Sequence, residues 1–181
     1  HLGALMSANP NFAMGHAARG LFSLMMGRKE LCNVAEDAAA AAHAAAAGSD
    51  LTTRERGWIA ALDSWLSGSL SGAIAEMEAI LRDAPTDTMS AKVSHAIRFI
   101  LGDGKGMRRS VERVLAAHGK DHALRGYILG CHAFTLEETG EYAAAERAGL
   151  QGLQYASDDA WGLHAVAHVY DMTADPDAGI R

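Results

Sequence analysis

The sequence has little of what β-sheets, disulfide frameworks and membrane spans require. Valine, isoleucine and threonine are scarce beside abundant alanine, which favours helices because alanine loses no side-chain entropy in a helix. Only 3 prolines interrupt 181 residues, and no stretch approaches the ~18 consecutive apolar residues of a membrane span. The 2 cysteines, Cys32 and Cys131, form neither a disulfide framework nor a CxxC metal pattern. We therefore expect a helical protein of a reducing compartment, the cytoplasm, without a membrane partner.

The sequence also lacks the excess of positive charge that nucleic acids require. The net charge is −6, and binding to a phosphate backbone depends on a cationic face. The densest basic group is Lys105, Arg108, Arg109 and Arg113, which straddles two faces of one predicted helix beside Glu112. Mixed charge of this kind is typical of a solvated helix surface. DNA, RNA and anionic membranes are therefore not expected partners.

What the sequence does contain is an internal period. Apolar helical segments stop at a small residue, and a new helical segment follows each time, at Gly27, Gly68, Gly102, Gly140 and Ala174. The spacings are 41, 34, 38 and 34 residues, and two of them equal the tetratricopeptide period. Glycine suits such a stop because it adopts the left-handed conformation that ends helices. The pattern predicts one helical-repeat domain over residues 1–181, with about five hairpins that break near these positions.

Interior positions agree with this register. Seven residues before and five residues after each stop, the repeat calls for small side chains where helices approach closely. Eight of the ten positions are small, and the exceptions are His95 and Met107, both in the third repeat. The predicted fold is therefore all-α, a right-handed α-solenoid of stacked tetratricopeptide-like helical hairpins. The predicted helices span 12–26, 30–47, 53–67, 70–83, 87–101, 105–118, 121–139, 141–155 and 159–173.

The sequence also offers candidate helix N-caps, and its two ends indicate a fragment. The candidate helix N-caps are Asp50 or Thr52, Thr86, and Ser157 or Asp158. The chain begins without methionine inside an apolar segment and stops where another helix should begin. We therefore expect a fragment of a longer protein.

In tetratricopeptide arrays the first helix of each hairpin lines the concave surface, and the resemblance to that class maps a candidate groove onto this chain. All three tryptophans fall on the mapped face, as expected of a ligand site with aromatic anchors. The alternative is that tight curvature closes the groove and that the rings belong to the core. The mapped residues are Glu55, Trp58, Trp65, Lys92, Phe99, Tyr127, Phe134, Glu137, Trp161, His164, His168 and Asp171.

The sharpest local pattern is the pair His164 and His168. Residues four apart lie on one helix face, about 6 Å apart along the axis. With a third ligand such as Glu137, Glu138 or Asp171, the pair could share a divalent metal, although HExxH is absent. The other readings are a proton-transfer or substrate-binding pair with Glu137, or hydrogen-bonded structural histidines. No cofactor is expected, and a metal is the least favoured reading.

Other polar residues have two readings each. His95 and His132 occupy positions between helices, where they either bond to a backbone carbonyl or carboxylate or extend a polar cluster towards the groove. Glu55 either caps its helix or forms a polar lip of the groove. Cys131 is expected to serve packing, because no neighbour in the sequence would activate its thiol.

Several motifs together resemble the tetratricopeptide repeat protein 38 family over nearly the whole chain. They are Asn9-Pro10 with Phe12-Ala13-Met14, Arg54-Glu55-Arg56, Leu129-Gly130 with Ala133-Phe134, Leu136 to Tyr142, Ala145-Glu146, and Asp159-Ala160-Trp161 leading into His164 to Val169. The resemblance implies a helical-repeat fold and a place in the N-terminal half of a longer protein. Thr173-Ala174 departs from the Gly-Arg that such proteins have after the acidic residue and methionine.

Two functions follow from these patterns. The first is a binding or scaffold module that holds a protein or peptide partner in an aromatic groove, as most arrays of this class do. Since Lys92 is the only basic residue mapped to the groove, an acidic peptide is not the expected ligand. The second is a small-molecule-binding protein or enzyme, with Glu137, His164 and His168 as catalytic candidates in a closed groove.

Overall fold

The structure is a computed structural model that describes residues 2–180, and helices are its only regular elements over that range. None of these helices is both long and apolar enough to cross a membrane. A short 3-10 turn at Lys29–Leu31 precedes α3. The helices are α1 (Leu2–Ala8), α2 (Ala13–Met25), α3 (Cys32–Ala46), α4 (Thr53–Leu66), α5 (Leu70–Asp83), α6 (Thr88–Ile100), α7 (Gly104–Leu115), α8 (Arg125–Glu137), α9 (Tyr142–Tyr155), α10 (Ala160–Met172) and α11 (Pro176–Ile180).

The all-helical prediction is confirmed, and the nine predicted helices correspond to α2 through α10. The largest difference is the start of α8, which lies at Arg125 and not at residue 121. Turns occupy residues 119–124 instead, and the Arg125 N–H donates to the His122 carbonyl at 3.0 Å.

The predicted helix stops are confirmed by the backbone. Gly27, Gly68, Gly102 and Gly140 have φ angles of 63°, 87°, 69° and 82°, which are left-handed values. Ala174, the fifth stop, has φ 55° and is the one non-glycine residue with positive φ in the described part of the chain. An alanine Cβ disfavours this conformation, so the last stop is strained where the other four are not.

The helix N-caps were predicted correctly at one of three places. The Thr52 hydroxyl accepts from the Glu55 N–H at 3.2 Å, and the Glu55 carboxylate accepts from the Thr52 N–H at 2.9 Å, which is a capping box. The caps of α6 and α10 are Asp87 and Asp159, so the choices of Thr86 and of Ser157 or Asp158 were wrong. Each true cap lies next in sequence to the residues chosen.

Two compact units divide the chain between Asp83 and Ala84. The first unit contains α1 to α5, with the fully buried Trp58, Leu21, Leu62 and Met77 in its core. A Cβ on Gly20 of α2 would lie 2.5 Å from a methyl group of Leu62 on α4, so a larger residue there would displace the buried Leu62 side chain.

The second unit contains α6 to α11. Met107, Ala133, Phe134 and Ala165 form one cluster of its core. Leu136, Ala145 and Val169 form another. Helix α8 packs on α9 and on α10, and it also contacts α6 and α7. These contacts bring α6, α8 and α10, the first helices of three successive hairpins, into one neighbourhood.

Candidate functional site

Six aromatic and imidazole rings from α6, α8 and α10 contact one another in the second unit. Five of them belong to the face predicted to bind ligands: Phe99, Phe134, Trp161, His164 and His168. For His95, the sequence allows either a hydrogen-bonded residue between helices or a member of a polar cluster near the groove. We call the six residues the ring cluster: His95, Phe99, Phe134, Trp161, His164 and His168.

Phe134 lies at the centre of the ring cluster and is 1% exposed. Its ring centroid lies 4.6 Å from that of Trp161, 5.3 Å from that of Phe99 and 5.6 Å from that of His95. The Phe99 and His95 rings meet it edge to face, an arrangement that adds ~0.5–1.5 kcal/mol per pair beyond burial. Phe99 itself remains 43% exposed, so the cluster reaches the surface.

His95 joins α6 to α10 through a side-chain hydrogen bond. The Trp161 indole Nε1–H donates to His95 Nε2 at 3.0 Å. Because an indole N–H can only donate, His95 Nε2 carries the lone pair and the ring proton sits on Nδ1. Burial, with a smaller effect from Lys92, lowers the pKa of His95 to about 3, so the ring is neutral near pH 7. Nδ1 is buried and has no hydrogen-bond partner among the described residues.

From Trp161 the rings continue along α10 to the solvent. The His164 ring stacks on Trp161 with centroids 5.5 Å apart and planes at 20°, and the His168 ring lies 4.2 Å beyond. Both histidines are exposed. Burial, and then the neighbouring His168, lower the pKa of His164, which favours neutral imidazole. The i, i+4 spacing predicted that His164 and His168 share one helix face, and their rings do lie side by side.

Glu137 supplies a carboxylate next to these rings. It is 7% exposed, and burial, followed by the charge of Glu138, raises its pKa. Its Oε1 lies 3.8 Å from His168 Nδ1, an ion-pair distance that is too long for a hydrogen bond. Its Oε2 is buried without a hydrogen-bond partner among the described residues. The three catalytic candidates therefore lie together, with a carboxyl group whose pKa burial raises above its ordinary range.

A polar group borders the N-terminal end of α10. Asp159 is buried, accepts from the Gly162 N–H at 3.0 Å and from Lys92 Nζ at 3.4 Å, and so links α10 to α6. Lys92 lies 5.5 Å from the Tyr127 ring centroid, and the Tyr127 hydroxyl donates to Asp158 at 2.8 Å. Lys92 and Tyr127 were mapped to the groove, whereas the role of Asp159 was missed.

The remaining mapped residues lie apart from these contacts. Asp171 is exposed on the last turn of α10. In the first unit, Glu55 belongs to the capping box, Trp58 is fully buried and Trp65 is half-buried. The Arg54 guanidinium lies 5.9 Å from the Trp58 ring centroid.

Two further polar candidates, Cys131 and His132, lie outside the ring cluster. Cys131 is fully buried, and burial raises the pKa of its thiol to about 11, which keeps it protonated and unreactive. His132 lies 3.7 Å from the Glu112 carboxylate on α7. Within residues 2–180, no three His, Cys, Asp or Glu side chains are arranged to hold a metal ion.

No protein-family model matches the chain, and no solved structure matches it significantly. The chemistry available to the site therefore follows from its own residues. They offer a partly exposed aromatic surface, two exposed imidazoles and one buried carboxyl group.

Proposed function

We propose that this chain is a tetratricopeptide-type helical-repeat binding module, related to the tetratricopeptide repeat protein 38 family, that holds a peptide segment of a partner protein on the ring cluster. The repeated glycine stops and the small residues between helices support the assignment to this class. A right-handed α-solenoid is the arrangement that we propose for its hairpins.

The observation that carries the proposal is the exposure of a ring assembly at its edge. A cluster that only stabilised the fold would bury its members, yet Phe99, His164 and His168 are exposed while Phe134 is fully packed beneath them. Rigid aromatic anchors of this kind dominate binding energies in protein interfaces. Lys92 is paired with Asp159, so the exposed edge of the ring cluster offers a partner mainly aromatic and imidazole rings.

Selection from a displayed random-peptide library on the wild-type chain tests this proposal. We expect the selected peptides to bind at least ~10-fold more weakly to Phe99→Ala and to His164→Ala, because each removes a ring anchor. Ile100→Ala is the matched control, since Ile100 is 48% exposed beside Phe99 but lies outside the ring cluster. Equal binding to all three variants would contradict the assignment of this face.

A second candidate function is supported by Glu137. A buried carboxyl group with a raised pKa beside an exposed imidazole can transfer protons, which fits a small-molecule-binding protein or an enzyme. Native mass spectrometry of the chain, with denaturing release of bound molecules, tests it. A stoichiometric small molecule or metal that is lost in Glu137→Gln and in His164→Ala would favour this function over peptide binding.

A further inference from the structure

A second surface of the second unit, independent of the ring cluster, forms a groove of 710 Å³. Helix α8 forms its floor, α9 forms one side, and Leu115 at the end of α7 borders the other. Leu129 and Leu136 of the floor are buried, and Leu150 at the edge is 44% exposed. We call this surface the α8 groove. None of the ring cluster residues lines it.

The α8 groove has the length of a short helix. Its α9 side runs from Ala144 through Ala148 and Gln151 to Gln154, a stripe that advances ten residues, or ~15 Å along the helix axis. Ala144 and Ala148 are small, so this side is low and the groove is open to solvent along one face. An open apolar groove of this length suits about three turns of a helix, whose own polar face would shield the contact from water. An acyl chain in the same place would stay exposed to water.

The charges around the α8 groove select the partner. Arg125 and Arg147 line it, and no carboxylate is among its lining residues. Arg125 donates to the His118 carbonyl and lies 5.8 Å from the Tyr155 ring centroid, and among residues 2–180 it has no carboxylate partner. Arg147 is exposed, and the part of the chain that the structure describes gives it no ion pair.

One carboxylate approaches the α8 groove from α7, but it is already compensated. Glu112 lies 3.7 Å from His132, and its carboxylate accepts from Arg108 Nε at 2.8 Å. The groove is thus a local positive surface with an apolar floor, on a chain whose net charge is −6. Such a surface is complementary to apolar residues that are flanked by carboxylates.

We propose that the α8 groove binds an amphipathic helical segment of a partner protein, with glutamate or aspartate beside its apolar stripe. Leucine-sized residues at positions i, i+3 or i+4, and i+7 of that segment contact Leu129, Leu136 and Leu150. Its flanking carboxylates pair with Arg147 and Arg125. This proposal does not rest on the proposed function, because it uses a different surface.

Fluorescence anisotropy with two labelled peptides tests the proposal. Both peptides have about 14 residues and the same leucine stripe at helical spacing, and one is flanked by glutamates and the other by lysines. We expect the glutamate peptide to bind the wild-type chain at least ~10-fold more tightly than the lysine peptide. Arg147→Glu is expected to weaken binding of the glutamate peptide by at least ~10-fold.

Arg109→Glu is the matched control, because it makes the same change of charge at an exposed position of α7 that does not line the groove. Its binding should stay within about 2-fold of wild type at physiological salt. Phe99→Ala should also leave binding unchanged, which separates this surface from the ring cluster. Equal loss in Arg147→Glu and Arg109→Glu, equal binding of the two peptides, or no binding at about 1 mM peptide would each overturn the proposal.

Discussion

His95 is a charge-free link between two helices. It accepts a hydrogen bond from Trp161 and packs edge to face against Phe134, so a proton on Nε2 would break the bond and place a cation among rings. The sequence alone could not reveal this pairing, since 66 residues separate the partners. The prediction had His95 bonded to a carbonyl or carboxylate, or part of a polar cluster that points to the groove. The structure gives it an indole partner inside the ring cluster.

The lowered pKa of His95 makes stability depend on pH. The folded state holds this pKa at about 3, against an ordinary value of 6.5, so its contribution is complete above pH 6.5 and is lost as the pH falls towards 3. We expect this one group to remove about 2–3 kcal/mol of unfolding free energy between about pH 7 and about pH 4.5. Urea unfolding at both pH values measures the loss.

His95→Phe is the control for this effect. Phenylalanine keeps a ring in the site but does not titrate. On the same acidification the variant should therefore lose roughly 2–3 kcal/mol less unfolding free energy than the wild type. Carboxylates elsewhere in the protein act equally in both chains. An identical pH dependence in the two would show that His95 is protonated without penalty.

Ala174 bears a conformational cost that the other four helix stops avoid. Ala174→Gly removes a Cβ at φ 55° and should raise the unfolding free energy by ~0.5–1 kcal/mol. Thermal or urea unfolding measures the gain. Ala143→Gly is the matched change at an exposed position in the first turn of α9, and it should lower stability by up to ~1 kcal/mol. A loss at both positions would mean that the last stop is not strained.

At the scale of helices, close approach depends on particular glycines. A Cβ on Gly130 of α8 would lie 1.9 Å from the Asp159 carboxylate and 3.1 Å from backbone atoms of Gly162. Movement of the Asp159 side chain alone cannot relieve the contact, because the backbone of α10 is also too near. The packing of α8 on α10, which holds the ring cluster together, therefore requires glycine at this position.

Gly130→Ala should destabilise the protein by about 2–4 kcal/mol, because α10 must move away and the Asp159 cap is disturbed. Gly119→Ala is the control, since no atom of residues 2–180 would lie within 4 Å of a Cβ there, and it should change stability by less than ~0.5 kcal/mol. Urea unfolding compares the two. A Gly130→Ala chain as stable as Gly119→Ala would contradict the described approach of α8 and α10.

The success of the sequence-based predictions differed between helices and their ends. Apolar periodicity and glycine stops located the helices because both signals are local. The caps Asp87 and Asp159 were missed because each follows a residue that is also a good cap, and only geometry selects between such neighbours. The start of α8 was predicted too early because residues 121–124 carry no strong signal that would exclude them from a helix.

The candidate site was predictable in part for the same reason. Helical spacing put His164 and His168 on one face, and the repeat register mapped Trp161, Phe99 and Phe134 to the same groove. The buried state of Glu137 and its approach to His168 depend on how α8 packs against α10, which no local pattern specifies. The sequence did not predict the α8 groove, because the groove lies outside the face that the tetratricopeptide register assigns to ligand binding.

At the scale of the whole molecule, the division into two compact units predicts separable folding. Residues 84–181 contain their own buried clusters around Phe134 and Leu136. We expect this segment alone to give a helical circular dichroism spectrum and a cooperative thermal transition, because a domain with its own core can fold independently. A gradual, non-cooperative transition would show that it needs the first unit.

The two thiols offer a way to follow opening of the molecule in time. Cys32 is exposed at the start of α3, whereas Cys131 lies inside α8 with its thiol held protonated. A maleimide should therefore label the first unit at once and the second only when α8 is released. The rate of the second labelling reaction then measures the rate of local unfolding beneath the ring cluster, and it needs no engineered residue.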